Sequence, residues 1–144
     1  MIVPDVNMLV YAYNSTAPQH LRARGWWEES VRGLQPVGLP WVVALGFVRI
    51  MTSRRVMARP LDPATAVRHV RSWLDQHTVF IVQPGPRHLN ILAGFAEAGV
   101  LASPVVTDAH LAAISVEHQA VVHTNDADFT RFPGLRWENP LAPR

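Results

Sequence analysis

Cysteine and lysine are both absent from the 144-residue chain. Without cysteine there is no disulfide framework, no thiolate metal site and no thiol nucleophile. Without lysine, all 13 basic residues are arginine. That excludes a Walker A phosphate loop, a pyridoxal Schiff base and a lysine general base. Charge is scarce at 17% of residues, while hydrophobic residues make up 49%. Such a chain closes a hydrophobic core rather than staying disordered, and its length corresponds to a single domain, residues 1–144. Long apolar runs are missing too. The longest, Trp41 to Val48, ends at Arg49, far short of a membrane span. Met1 to Val6 has no basic region and meets Asp5, so it does not read as a signal peptide. The expected location is the cytoplasm, with no membrane partner.

The isoelectric point of about 9.9 contrasts with a formal net charge of only +2. With no lysine, no cysteine and two tyrosines, little titrates between neutrality and high pH. A small positive excess therefore persists and inflates the value. It is no general signal for nucleic acid, although local arginine placement still matters for a polyanionic partner.

Apolar triplets alternate with segments of helical period. Met1 to Val3 reads as a short buried strand closed by Pro4, and Val6 to Tyr13 as a helix. Pro18 to Val31 reads as a second helix, with Leu21, Trp27 and Val31 on one face and Ser15 or Thr16 as its cap. Pro36 to Leu39 is a strand candidate, and Trp41 to Thr52 a largely buried helix. Asp62-Pro63 opens a helix burying Ala66, Val67, Val70, Trp73 and Leu74. Thr78 to Val82 is a strand. Pro86 to Ala98 is helical, with Leu89, Leu92, Phe95 and Ala96 inward. Val105-Val106 is a short strand, Asp108 to His118 a helix, Ala120 to His123 a strand, and Leu135 to Trp137 a final one. This alternation predicts an α/β fold with a parallel or mostly parallel sheet and helices on both faces. In such sheets, sites lie outside the carboxyl ends of the strands.

Four aspartates follow apolar, strand-like runs: Asp5, Asp108, Asp126 and Asp128. Parallel strands would bring them to one sheet edge. A single aspartate after a strand is ordinarily a helix cap or turn former; three independent strand ends favour a shared site. Two carboxylates ~5 Å apart repel by roughly 3 kcal/mol at an effective dielectric of ~20. Several such pairs would rival the whole folding stability, on the order of 5–15 kcal/mol. A hard divalent cation with oxygen ligands, Mg²⁺ or Mn²⁺, relieves this at neutral pH.

The seven histidines form no HExxH-type pair and read as surface or core residues. His110, two positions after Asp108, is a candidate supporting group. Arg49, Arg54, Arg55 and Arg59 cluster within eleven residues. They fit either a solvated helix end, where cations complement the dipole, or a phosphate-contacting edge.

The opening MIVPDVNMLVYAY, the segment VVTDAHLAA (Val105–Ala113) and the stretch TNDADFTRFPGLRWENPL (Thr124–Leu141) resemble PIN-domain ribonucleases. They are most similar to the VapC toxins of bacterial toxin–antitoxin pairs, in a subgroup abundant in mycobacteria. VGLPWVVALGFVRIMT (Val37–Thr52) fits as well. The resemblance implies a small α/β/α sandwich around a parallel sheet of about five strands. It implies Mg²⁺-dependent endonucleolytic cleavage of RNA, with Mn²⁺ able to substitute, leaving 5′-phosphate and 3′-hydroxyl ends. It further implies a homodimer, neutralisation by a VapB-type antitoxin and inhibition of translation and growth when the toxin is free. A structured loop of transfer or ribosomal RNA is the implied substrate class. By position, Asp5, Asp108 and Asp126 become the metal-site acids, Asp128 a further catalytic acid, and Asn7 and Thr124 polar residues bordering the site.

One departure stands out. Many relatives carry a glutamate just before a Phe/Leu-x-Arg segment in the helix after the second strand. Here that place holds Gly46, and no acid lies between Glu29 and Asp62. The main rival reading is a degenerate PIN domain that binds RNA or a partner without cleavage. A metal nuclease acting on DNA is another. Receiver-like and haloacid-dehalogenase-like chemistry both want a lysine that this chain lacks.

Overall fold

The computed structural model describes residues 1–143. Five short strands form one wholly parallel sheet: β1 (Ile2–Pro4), β2 (Val37–Leu39), β3 (Val79–Ile81), β4 (Val121–His123) and β5 (Arg136–Glu138), in the order β3-β2-β1-β4-β5. Six α-helices connect them: α1 (Val6–Tyr13), α2 (His20–Arg32), α3 (Trp41–Met51), α4 (Pro63–Leu74), α5 (His88–Glu97) and α6 (Val106–Glu117). The chain builds outward from β1 through β2 to β3, then returns to the other side of β1 for β4 and β5. Right-handed crossovers place the two runs of helices on opposite faces. Accordingly α1 packs on α2 and α3, and α3 on α4, while α5 packs on α6.

The central strands are buried on both sides, hence their continuous apolar character. Val3, Val37, Leu39 and Val122 have no exposed surface. Under α1 and α3, Phe47 lies edge-on to Tyr13 and Trp73, with ring centroids 5.5 and 4.7 Å away. Trp73 donates its indole N–H to the Tyr13 hydroxyl at 2.7 Å. This cluster packs the last turn of α1 against α3 and α4.

Several expectations are corrected. Val105-Val106 is not a strand: Ser103–Val105 is a 3-10 turn running directly into α6. Pro104 supplies no ladder donor, and Val106 is half exposed, so two β-branched residues have nothing to bury as a strand. Helix α2 begins at His20 with Gln19 as its cap residue, not at Pro18. The preceding Asn14 side chain instead accepts from the Thr16 backbone and hydroxyl, forming a turn that delays the helix. Leu21, Val67 and Leu89 face solvent. The inward faces are Ala23, Trp26 and Trp27 in α2, Ala66, Val70 and Trp73 in α4, and His88 and Phe95 in α5. Among the described residues, no helix is long and apolar enough to cross a membrane.

Candidate active site

The strand order reverses between β1 and β4, and the crevice beyond their carboxyl ends is the switch point where open α/β sheets place their ligands. Pro4 aligns with His123 across these two strands. The next residues, Asp5 and Thr124, therefore face each other at the lip of that crevice. The Asp5 backbone N–H donates to the His123 carbonyl at 2.9 Å, extending the ladder by one rung.

Asp5 is only 6% exposed. One carboxylate oxygen accepts the Val6 backbone N–H at 2.7 Å, which caps α1. The other accepts the Thr124 hydroxyl at 2.8 Å. Capping and site membership thus coincide in one residue. A carboxylate has about four lone-pair positions, so one on each oxygen is left to face the crevice. Thr124 is fully buried and also accepts the Asp126 backbone N–H at 3.0 Å. It ties the β1 acid to the loop that carries the β4 acid. Asp126 in turn accepts the Asp128 backbone N–H at 2.9 Å, opening a 3-10 segment, Ala127–Arg131.

Asp108 is carried by a different kind of element. It lies in the first turn of α6, not behind a strand. Helix α6 is buried along most of its length, with Ala109, Ala112 and Ala113 allowing close approach to the sheet. The acids are coupled electrostatically. Burial, reinforced by the charges of Asp108 and Asp126, pushes the Asp5 carboxyl up from an ordinary 3.8 to about 6, against the lowering effect of its hydrogen bonds to Thr124 and Val6. Burial and then the Asp126 charge raise Asp108 as well, with Arg131 opposing and Asp128 adding to the rise.

Asp128 stands at the periphery. Its carboxylate is well exposed and pairs with Arg131 at 3.3 Å. Asn7 is exposed on the first turn of α1. His110 does not support Asp108: two residues along a helix point to different sides, and its Nδ1 lies 2.9 Å from Nε2 of His88. Arg131, placed to offset the acids' charge, was not among the expected site residues; its only sequence signal is the i,i+3 spacing from Asp128. Gly46 of α3 lies against Val6, where a β-carbon would stand 3.2 Å from Val6 Cγ2. Gly46, where the resemblance implies a glutamate, thus lies beside the first turn of α1 and brings no carboxylate.

Among the described residues, no three acidic or imidazole groups stand close enough to enclose an ion by themselves. The acids sense one another's charge without closing a complete ligand shell. Such a spread suits a hard cation that retains several waters, as Mg²⁺ does.

Thr124→Val keeps the shape and removes the hydroxyl. The Asp126 N–H loses its partner and Asp5 loses a stabilising donor, at a cost of about 1–3 kcal/mol. The Asp5 pKa should rise further, readable as an upward shift in its carboxyl titration by NMR. An unchanged titration would show that the hydroxyl does not stabilise the charged form.

The PIN domain family profile matches residues 2–135. The chain is 45% identical to Ribonuclease VapC33 of Mycobacterium tuberculosis over 98% of its own length and 99% of the relative's. It is 39% identical to Ribonuclease VapC37 of the same organism, covering 99% of each. The fold is similar to that in the crystal structure of VapBC2 from Rickettsia felis bound to a promoter DNA fragment (TM-score 0.67, 16% identity, 96% and 98% covered). It is similar also to Mycobacterium tuberculosis VapC20, described as a sarcin-ricin loop cleaving toxin (TM-score 0.66, 17% identity, 94% and 99% covered).

Proposed function

Since this chain belongs to the PIN-domain family, we propose that it is a Mg²⁺-dependent endoribonuclease acting as the toxin of a toxin–antitoxin pair. In this reading a VapB-type antitoxin restrains it, and the free toxin cuts RNA and blocks translation. The observation carrying the proposal is the buried Asp5 at the sheet's switch point, its carboxyl raised to about 6 by burial and by the facing charges of Asp108 and Asp126. A cleft that holds partly desolvated acids together, with raised affinity for protons, is one in which a bound cation relieves stored repulsion. Close relatives named as VapC ribonucleases over nearly the full chain support the same activity.

Asp5, Asp108 and Asp126 would hold the ion, directly or through water, and Asp128 assists from the rim. When bound, a divalent cation lowers the pKa of a coordinated water and neutralises charge on a phosphodiester. The chain's own part is positional. Thr124 and the Val6 N–H fix the Asp5 carboxylate, so the acid is in place before substrate arrives. Arg131 tempers the negative field that would otherwise repel an RNA backbone. Mn²⁺ has the same preference for oxygen ligands and substitutes in this reading. Recognition of a transfer or ribosomal RNA loop fits the general need for unpaired bases in sequence-specific RNA reading. Self-association as a homodimer belongs to the same proposal and is checked by light scattering.

The decisive experiment incubates the purified full chain with RNA and a matched DNA strand, with Mg²⁺ and with chelator. Cleavage of RNA only, abolished by chelation, is the expected result. RNA binding without cleavage at any Mg²⁺ or Mn²⁺ concentration would establish the degenerate, binding-only reading, which the absence of an acid at position 46 favours.

Metal binding is also read as stability. An ion that binds only the native state at about ten times its dissociation constant contributes roughly 1.4 kcal/mol, a rise of several °C in Tm. The carboxylates must be ionised to bind it, so the Mg²⁺-induced rise should be present at pH 7.5 and vanish as pH falls through about 6, where Asp5 takes up its proton. Equal shifts at pH 5 and 7.5 would place the ion elsewhere.

A further inference from the structure

We propose that the segment from Arg49 to Arg59, from the last turn of α3 into the loop before α4, is a surface that grips the phosphodiester backbone of RNA at a distance from the cleaved bond. This inference rests on the ribonuclease reading above and extends it to a second contact region. Residues 30–61 carry five arginines and no acid, while the whole chain has a formal net charge of only +2. The rest of the chain is therefore net negative, and the positive charge is concentrated here.

Helix-end solvation explains only part of the cluster. Arg49 lies in the last turn of α3 and complements the helix dipole. That effect decays within one turn, whereas Arg54, Arg55 and Arg59 lie beyond the helix. All four are exposed, and among the described residues none makes an ion pair or a side-chain hydrogen bond. The segment is nevertheless ordered by its own backbone. The Leu61 N–H donates to the Met51 carbonyl at 2.8 Å, closing the loop, and the Met57 N–H donates to Ser53 at 2.9 Å. Met57 is buried and pins the loop to the core. The guanidinium groups thus project from a fixed frame, and phosphate contact orders less chain than a loose tail would require.

The position follows from the sheet. Ile2 aligns with Val37, so Pro40 stands level with Asp5 at the same carboxyl edge. Helix α3 starts there, passes Val6 at Gly46 and leads away from the edge, so Arg49 lies about 13 Å along the axis from Pro40 and the other three arginines follow the end of the helix. Its exposed stripe is Trp41, Leu45 and Arg49, with Trp41 48% and Leu45 61% exposed. An aromatic face followed by arginines is a combination suited to single-stranded RNA, whose bases stack while its phosphates pair with guanidinium groups.

The test uses the full chain carrying Asp108→Asn and a labelled single-stranded oligoribonucleotide. Arg54→Gln/Arg55→Gln/Arg59→Gln is added to this background, with folding checked by circular dichroism. Three lost phosphate contacts on a single strand should weaken binding roughly tenfold or more at ~0.1 M salt and flatten the log–log salt slope by about 2. Replacing the same three residues by lysine should restore most of both. Removing Arg22 and Arg136, on α2 and β5, should change affinity no more than about threefold, since two charges outside the segment make no such phosphate contacts. RNA affinity within twofold of the parent overturns the proposal, including the case where the variant instead loses a protein partner. So does an equal loss from the Arg22/Arg136 control, which would mark a general charge effect. Failure of the unsubstituted chain to cut RNA would sink the nuclease reading separately, because the binding comparison does not depend on cleavage.

Discussion

Asp5→Asn is expected to abolish Mg²⁺-dependent RNA cleavage, by about two orders of magnitude or more, while making the ion-free protein more stable at pH 7. The two effects share one cause. In the folded chain the Asp5 carboxyl titrates at about 6, above its ordinary 3.8. The native state therefore binds this proton more tightly than the unfolded state. The associated stability is fully present below pH ~4 and is lost as pH rises through about 6. At pH 7 the native protein bears the whole ionisation cost, on the order of 2–3 kcal/mol. Asparagine carries no charge, still accepts the Val6 N–H and can donate toward the Thr124 oxygen. A gain of about 1–2 kcal/mol is expected from urea unfolding at pH 7, shrinking toward zero near pH 4. Asp108→Asn should lose cleavage equally, since under the proposed function Asp108 helps hold the same ion. Full cleavage by either variant would remove these acids from the mechanism. Lower stability of Asp5→Asn at pH 7 would show that its carboxylate is a structural anchor rather than a strained ligand.

Phe47→Ala should have the largest effect on stability. Phe47 is completely buried. Its ring contacts Tyr13 of α1, Trp73 of α4 and His69, with centroids 5.5, 4.7 and 6.4 Å away. Truncating a buried phenylalanine costs about 3–5 kcal/mol through lost transfer energy and the cavity left behind. For a chain of this size that is a fall of roughly 10 °C or more in Tm. The cavity would open between α3 and the C-terminal end of α1, where Tyr13 packs on Phe47, so the last turn of α1 should loosen with it. Hydrogen exchange at the Asn14 amide, which donates to the Val10 carbonyl at that end, should accelerate disproportionately. Retention of the parent Tm would mean that the aromatic cluster is not what holds the two helices at their angle.

Local pattern was a good guide wherever the chain's own chemistry decides the element. Apolar triplets closed by Pro4 or running up to Pro40 had no better use than short buried strands, and the all-parallel sheet follows from their alternation with helices. It was a poor guide where packing decides. The leucines at 21 and 89 match a helical period, yet sheet geometry turned the tryptophans of α2 and the Phe95 side of α5 inward instead. Val105-Val106 has β-branched character, but with Pro104 in place and no neighbouring strand to pair with, the segment winds into α6.

Residue type alone determined which chemistry is available: no thiol, no lysine amine, and four aspartates at positions 5, 108, 126 and 128 that follow apolar runs. Tertiary structure alone decided how those aspartates are disposed. Asp5 and Thr124 are 119 residues apart, and only the register of β1 against β4 puts the hydroxyl 2.8 Å from the carboxylate. Asp108 arrives on a helix rather than a strand. Its environment, like the elevated Asp5 pKa, depends on which charges and how little water surround it. Charge and burial are properties of neighbours in space, and chain order specifies them only after the fold has closed.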